Sequence, residues 1–365
     1  MNRRGAPPLP AGALPERLRA CFASRMPAVW KASLAAFPAA FPERVLREWG
    51  LQGCGSRLKE AVNGPARLYV ERPGKCLRPL ITAVVIEGLG RRPGRFAGAL
   101  GAIELMEAST VSFDDIIDHS DVRRGGPATH VLYGRERAYL AYQAAYNWAY
   151  RAFLDPALPL EPWRRAELLS SLAREIFAYG YGQASELRWS ARRSAPSPRE
   201  YLSMTWDRIR FLSFNGPLRV GALLGGAPRE ALPRFAAAGS WLGMAYHLHG
   251  DELNLFPRSA EWGKPLADDI TGGRYTFLYL TAMRLSSAPR RRLLARALGD
   301  RRISGGALKN VIDIVRDSGA VAENRRKIGV FHRRAAAALK GLPLAAGSRR
   351  LLLDLARYMA YDRTK

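Results

Sequence analysis

Glycine and proline fall at wide intervals along this sequence, and the segments between them follow a single period. The breaks lie at Gly90–Gly94, Asp155–Pro162, Ser194–Pro198, Gly225–Pro228, Gly272–Gly273 and Gly341–Pro343. Proline removes a backbone donor and glycine loses the most chain entropy on ordering, so both end helices more readily than they extend them. Alanine, leucine and arginine, all good helix formers, dominate the intervals. Apolar residues recur at three and four, as at Leu100, Ile103 and Leu105–Met106. There is no alternating strand pattern, no strand–helix–strand rhythm and no short repeat. The spacing predicts helices longer than average and an all-α bundle whose facing helices supply any site.

Composition fits one large helical unit. The chain has 365 residues, 48% of them hydrophobic, enough to bury a substantial core. Residues 1–15 are rich in Pro, Gly and Ala and are expected to be disordered, with a single helical domain over residues 16–365. No apolar run reaches the ~18 residues of a membrane span. The basic N-terminus lacks the apolar stretch of a secretory signal. Three cysteines, Cys21, Cys54 and Cys76, have no metal-binding spacing, and the odd count suits a reducing cytoplasm. The net charge of +25 is almost all arginine, scattered in pairs such as Arg91–Arg92 and Arg301–Arg302. Without a basic stripe interleaved with aromatics, this predicts a solvated surface and no nucleic-acid binding. Anionic substrates and peripheral membrane contact remain compatible with it.

Within this helical background one segment carries chemistry. Phe113-Asp114-Asp115-Ile116-Ile117-Asp118 is followed by Asp121-Val122-Arg123-Arg124-Gly125. On a helix Asp114 and Asp118 point the same way, one turn apart. Like charges held that close are costly unless a cation shares them. Carboxylate oxygens with room for water suit Mg²⁺, which also takes substrate phosphates. The two arginines downstream would meet the remaining phosphate oxygens. The segment reads as a metal and diphosphate site.

A clamp on a diphosphate needs acids from a second helix. The candidate is Tyr246-His247-Leu248-His249-Gly250-Asp251-Glu252-Leu253-Asn254, at the end of an apolar run from Phe235. Gly263-Lys264-Pro265, Asp268-Asp269 and Gly272-Gly273-Arg274-Tyr275-Thr276 follow, with Lys264 and Arg274 near glycine-rich turns suited to phosphate. Upstream, Lys75 and Arg78 are three apart in Gly74-Lys75-Cys76-Leu77-Arg78-Pro79, so a helix start would offer both to one anion. His247 and His249 are two apart and face different directions on a helix, which predicts packing or hydrogen bonding over a transition-metal site.

In order and spacing, over roughly residues 60 to 340, these segments resemble the polyprenyl synthetase family, the trans-isoprenyl diphosphate synthases. Gly74–Pro79 resembles its G-K-R-L-R-P, and Asp114–Asp118 with Arg123-Arg124-Gly125 its first aspartate-rich motif. Gly182-Gln183, Gly263–Asp269 with Gly273–Thr276, and Ser318-Gly319-Ala320 match later elements. The resemblance implies the all-helical isoprenoid-synthase fold, a deep central cavity and a homodimer. It implies that Asp114 and Asp118 hold two Mg²⁺ against an allylic prenyl diphosphate, with a third ion at the second motif. Asp115 belongs to the same catalytic group. Arg123 would contact that diphosphate, and Lys75, Arg78 and Arg124 would hold isopentenyl diphosphate. Metals and cations would stabilise the departing pyrophosphate and leave an allylic cation.

The chain departs from the family in places that matter. The second motif, D-D-x-x-D in the family, reads Gly250-Asp251-Glu252-Leu253-Asn254. Asp251 and Asn254 are its remaining oxygen donors at motif positions. Asp251, Glu252 or water would stand in for the missing aspartate, or the third metal binds more weakly. Glu107 replaces the histidine that helps hold isopentenyl diphosphate, and an acid there calls for neutralisation or a nearby arginine. Phe113 replaces another histidine. Arg208 and Arg274 stand where the family carries catalytic lysines, keeping charge but changing geometry. Tyr246-His247 replaces the F-Q facing the allylic chain. Ser109 and Thr110, before the first aspartate, are small where bulky aromatics would floor the cavity, which favours products of C20 or longer. Three readings follow: an elongating synthase first, then a cyclase or unorthodox prenyltransferase without isopentenyl diphosphate, then a non-catalytic partner subunit.

Overall fold

The structure, a computed structural model, describes residues 16–36, 43–48, 50, 62–72, 74–192, 194–209, 214–258 and 266–364. The N-terminal residues 1–15 and Lys264 lie outside the described residues. The described chain is helical apart from turns and one two-stranded hairpin. It divides into two compact units.

Most of the first half forms unit one, residues 19–169, joined by residues 220–226. It holds most of α1 (Glu16–Ala36), then α2 (Glu43–Glu48), α3 (Gly64–Glu71), α4 (Leu77–Gly88), α5 (Ala97–Asp118), α6 (Thr129–Tyr133) and α7 (Arg135–Leu154). Helix α5 is its axis. Residues from Ala99 to Thr110 are buried without interruption, so this helix has no solvent face along that stretch. Small residues allow such close packing. A Cβ at Gly101 would lie 2.3 Å from the Ala32 carbonyl oxygen of α1.

Residues 170–219 and 227–365 form most of unit two. Its helices are most of α8 (Pro162–Arg192), α9 (Pro198–Ile209), the start of α10 (Asn215–Gly225), α11 (Leu232–Leu255), α12 (Asp268–Thr271), α13 (Phe277–Leu285), α14 (Ala288–Ala297), α15 (Gly305–Asp317), α16 (Ala320–Lys340) and α17 (Ala346–Arg357). A π-helical turn, Tyr358–Asp362, follows α17. Helix α11 is the axis here and is buried on most sides. A Cβ at Gly239 would meet the Asn215 backbone at 2.3 Å, so α10 begins hard against α11. Fully buried Asn324 of α16 donates to the Leu248 carbonyl and to Glu252, tying α16 to α11.

Each break read from the sequence falls at a helix junction. Pro162 and Pro198 open α8 and α9, where the missing N–H would have no partner anyway. One proline departs from the pattern: Pro27 sits inside α1. The hairpin, β1 (Val122–Arg123) paired with β2 (Gly126–Pro127), is too short to leave an alternating pattern in the sequence.

Candidate active site

In unit one, helix α5 ends at Asp118 because His119 takes the left-handed conformation, φ 54°. The β1–β2 turn places Arg124 and Gly125 at φ 51° and 75°, the positive values a tight two-residue hairpin needs. The reversal brings Arg123 back to α5. Its Nε donates to Asp115 Oδ1 at 2.8 Å, and an Nη donates to the same oxygen. The other oxygen, Oδ2, accepts from the Tyr69 hydroxyl at 2.6 Å. Asp115 is fully buried, so of the three aspartates it is the internal anchor. Asp114 and Asp118, one turn apart, stay half-buried.

The basic residues beside this cluster are ion-paired with acids. Arg78 Nη1 lies 2.7 Å from Glu107 Oε1, the pairing that an acid at this position calls for. Arg124 donates to the Tyr69 and Arg72 carbonyls and lies 3.4 Å from Glu104 Oε1. Its guanidinium packs on Gly74, where a Cβ would stand 3.0 Å from it. Glu104 and Glu107 are buried, and burial pushes both carboxyls above their ordinary range while Arg124 and Arg78 pull against it. Glu107 Oε2 and Arg78 Nε have no hydrogen-bond partner among the described residues. Lys75 is exposed just ahead of α4. Ser109 and Thr110 are fully buried, and their hydroxyls donate to the Leu105 and Met106 carbonyls one turn back. Neither hydroxyl needs a partner from a cavity.

In unit two the end of α11 is arranged differently. The Tyr201 hydroxyl of α9 donates to Asp251 Oδ2 at 3.3 Å and lies 3.0 Å from His247 Nε2. Burial, then Arg208 and Arg363, drives His247 down to about 3, so it is neutral at physiological pH. His249 turns elsewhere, to the Met359 carbonyl at 3.0 Å, and burial lowers it to about 4. Burial, with Asp269 and Glu186 nearby, pushes the Asp251 carboxyl well above its ordinary value. Asn254 Oδ1 accepts the Asp269 N–H at 3.2 Å. Arg274 pairs with Asp268 at 2.7 Å and Asp269 at 2.9 Å, and Arg208 pairs with Glu186. Glu252 is committed to Asn324 and Arg325 of α16, which removes it as a stand-in for the aspartate missing at Gly250.

Five participants, Tyr69, Glu104, Glu186, Tyr201 and Arg363, escape motif reading. Glu104 carried a usable signal: it sits one turn before Glu107 in a run otherwise free of charge from Ala97 to Phe113. The others come from segments with no distinguishing local pattern.

A sequence model of the polyprenyl synthetase family matches residues 59–315. The chain belongs to this family. It is a trans-prenyltransferase of the isoprenyl diphosphate synthase type. A geranylgeranyl diphosphate synthase of Sulfolobus acidocaldarius is 30% identical over 67% of this chain and 73% of its own length. A geranylfarnesyl diphosphate synthase of Aeropyrum pernix is 28% identical over 84% of this chain and 95% of its own. The crystal structure of geranylgeranyl pyrophosphate synthetase from Pyrococcus horikoshii superposes with a TM-score of 0.82 at 22% identity, covering 95% of this chain and 99% of that one. The fold is therefore the helical isoprenoid-synthase fold. No helix among the described residues is long and apolar enough to cross a membrane.

Proposed function

We propose that this prenyltransferase ionises an allylic prenyl diphosphate and condenses it with isopentenyl diphosphate, giving a trans-prenyl diphosphate of C20 or longer. The observation that carries this reading is the division of labour among three aspartates. Asp115 is fully buried and held by Arg123 and Tyr69, which fixes the last turns of α5, where Asp114 and Asp118 stand one turn apart and half-buried. Two such hard oxygen donors fit Mg²⁺, which keeps waters and takes substrate phosphates. A metal bound there would supply charge stabilisation to the departing pyrophosphate. Arg123, held by Asp115, is the cation beside that pair. Lys75, Arg78 and Arg124 are the cations for isopentenyl diphosphate. Small, self-satisfied Ser109 and Thr110 favour a long chain, as do the C20 and C25 products named for relatives. On α8, Phe177 and Tyr181 are 77% and 62% exposed one turn apart, an apolar stripe that fits a second copy of the chain. A cytoplasmic homodimer is the setting we propose.

One observation favours a second reading. Arg78 and Arg124 already carry Glu107 and Glu104, so the acceptor diphosphate meets a partly neutralised site. A cyclase, or a transferase to another acceptor, has no need of those cations. One series of incubations with Mg²⁺ decides. Geranyl, farnesyl and geranylgeranyl diphosphates are each supplied with and without isopentenyl diphosphate. Elongation should depend on isopentenyl diphosphate. Hydrocarbon or alcohol from the allylic substrate alone would establish the second reading.

A further inference from the structure

Gly250 stands where the family's second aspartate-rich motif opens, and an arginine uses the space its side chain leaves. A Cβ built at Gly250 would lie 3.0 Å from an Nη of Arg363. Arg363 is 5% exposed. Its guanidinium carbon stands 4.0 Å from the centre of the Tyr246 ring, and Nη2 donates to the Tyr246 carbonyl at 3.3 Å. Its backbone N–H donates to the Tyr358 carbonyl at 2.9 Å, which closes the final π-helical turn. Tyr246 and Gly250 are one turn apart on α11, so a single guanidinium covers that face of the helix.

Among the described residues Arg363 has no acid beside it, unlike its neighbours. Arg208 has Glu186, Arg274 has Asp268 and Asp269, and Arg325 has Glu252. Among the described residues no carboxylate lies within ion-pair distance of Arg363, and its Nε has no hydrogen-bond partner. A ring face and one carbonyl stabilise a guanidinium without neutralising it. A buried charge with no counter-charge is costly, so its retention points to an anion that arrives from outside. The neighbouring residues agree. Arg363 contributes to holding both His247 and His249 neutral, so neither adds charge beside it. The donors at this end of α11 are already used: position 250 has no side chain, Asn254 Oδ1 accepts the Asp269 N–H and Asp251 Oδ2 accepts from Tyr201, and among the described residues no three acids or histidines gather to hold a metal.

We propose that Arg363, admitted by Gly250, is the cation this chain offers to an incoming diphosphate at the second aspartate-rich position, in place of a carboxylate-held metal ion. The proposal rests on the prenyl diphosphate reading of the site. Arg363 is then a binding residue, and Gly250 is a specific adaptation that makes room for it.

The test is binding of inorganic pyrophosphate to the full-length chain with Mn²⁺, using calorimetry for affinity and electron paramagnetic resonance to count bound Mn²⁺. The wild type should bind pyrophosphate with two Mn²⁺ per chain. Arg363→Gln should weaken pyrophosphate at least tenfold and leave the metal count at two, and Arg363→Lys should recover part of the loss. Gly250→Asp should lose as much as Arg363→Gln, because the new carboxylate pairs with the guanidinium. The double variant should regain a third Mn²⁺. Should Arg363→Gln not fold, Gly250→Leu provides the same test, since a branched side chain grown from that Cβ fills the space the guanidinium occupies and should cost several-fold in affinity. Wild-type affinity in whichever of Arg363→Gln and Gly250→Leu folds, or three Mn²⁺ on the wild type, overturns the proposal. Asp114→Ala separates the two levels. If it binds Mn²⁺ and pyrophosphate like the wild type, the reading of the first cluster fails, whatever Arg363 does.

Discussion

The ends of α5 and α11 carry corresponding motifs and use their acids in opposite ways. At the end of α5 one aspartate, Asp115, is consumed internally by Tyr69 and Arg123, and its consumption orders the neighbouring pair. Further up that helix, Glu104 and Glu107 lie against Arg124 and Arg78. At the end of α11 the acids serve structure: Asp251 accepts from Tyr201, Glu252 joins α16, and the position that opens the motif is glycine beside an arginine. On α5 the buried acid Asp115 fixes a hairpin and a tyrosine at the helix end, while on α11 Asp251 and Glu252 hold helices together. Two similar acidic motifs need not share one role, and the partners of each oxygen distinguish them.

The most severe way to break this comparison is to remove one acid from each helix. Asp114→Ala should lower kcat on the order of 10²–10³-fold, the usual cost of losing one stabilising contact to a developing anion. Asp251→Ala should cost less than about tenfold on the same scale. Steady-state kinetics on both variants checks this, and equal losses would remove the asymmetry. Glu252→Ala should leave kcat near wild type and lower unfolding free energy by about 2 kcal/mol, because Asn324 loses one acceptor while exposed Arg325 relaxes into water. Urea titration measures that loss, and a fall in kcat without one would return Glu252 to the site.

A smaller effect sharpens the α5 side. Glu107→Gln keeps the shape beside Arg78 and removes the charge that neutralises it. The KM for isopentenyl diphosphate should fall by about tenfold, equivalent to about 1.4 kcal/mol, with the allylic KM unchanged. An unmoved KM would mean that Arg78 does not meet the acceptor.

Much of this arrangement could be read from the chain. The break positions gave the helices, and an acid at a diphosphate-binding position called for neutralisation or an arginine, of which Glu107 has the arginine. Three features could not be read. Asp114, Asp115 and Asp118 are chemically identical in sequence, and only tertiary burial distinguishes Asp115. The hairpin that returns Arg123 has strands of two residues each, too short for any period to register. Arg363 reaches Gly250 from the far end of the chain, and a glycine in a motif records what is missing without naming what fills the space.

The smallest expected effect concerns a buried group on α11. His249 donates from Nδ1 to the Met359 carbonyl and is held neutral, down to about 4 from an ordinary 6.5. Between those values the unfolded chain binds a proton that the folded chain refuses, so acidification through this window favours unfolding. From pH 7.5 to 5.5 the loss from this histidine is about 1 kcal/mol. Glu104, Glu107 and Asp251, all raised, act with the opposite sign, since each loses stability as pH rises from its unfolded value toward its folded one. The net curve therefore hides the histidine, and a single-site comparison isolates it. His249→Asn keeps a donor for Met359 and does not titrate. Its urea-derived stability should fall less steeply than wild type between pH 7.5 and 5.5, so that the difference between the two curves changes by about 1 kcal/mol over that range. Parallel curves would show that His249 is protonated in the folded chain and that the end of α11 is wetter than its burial implies.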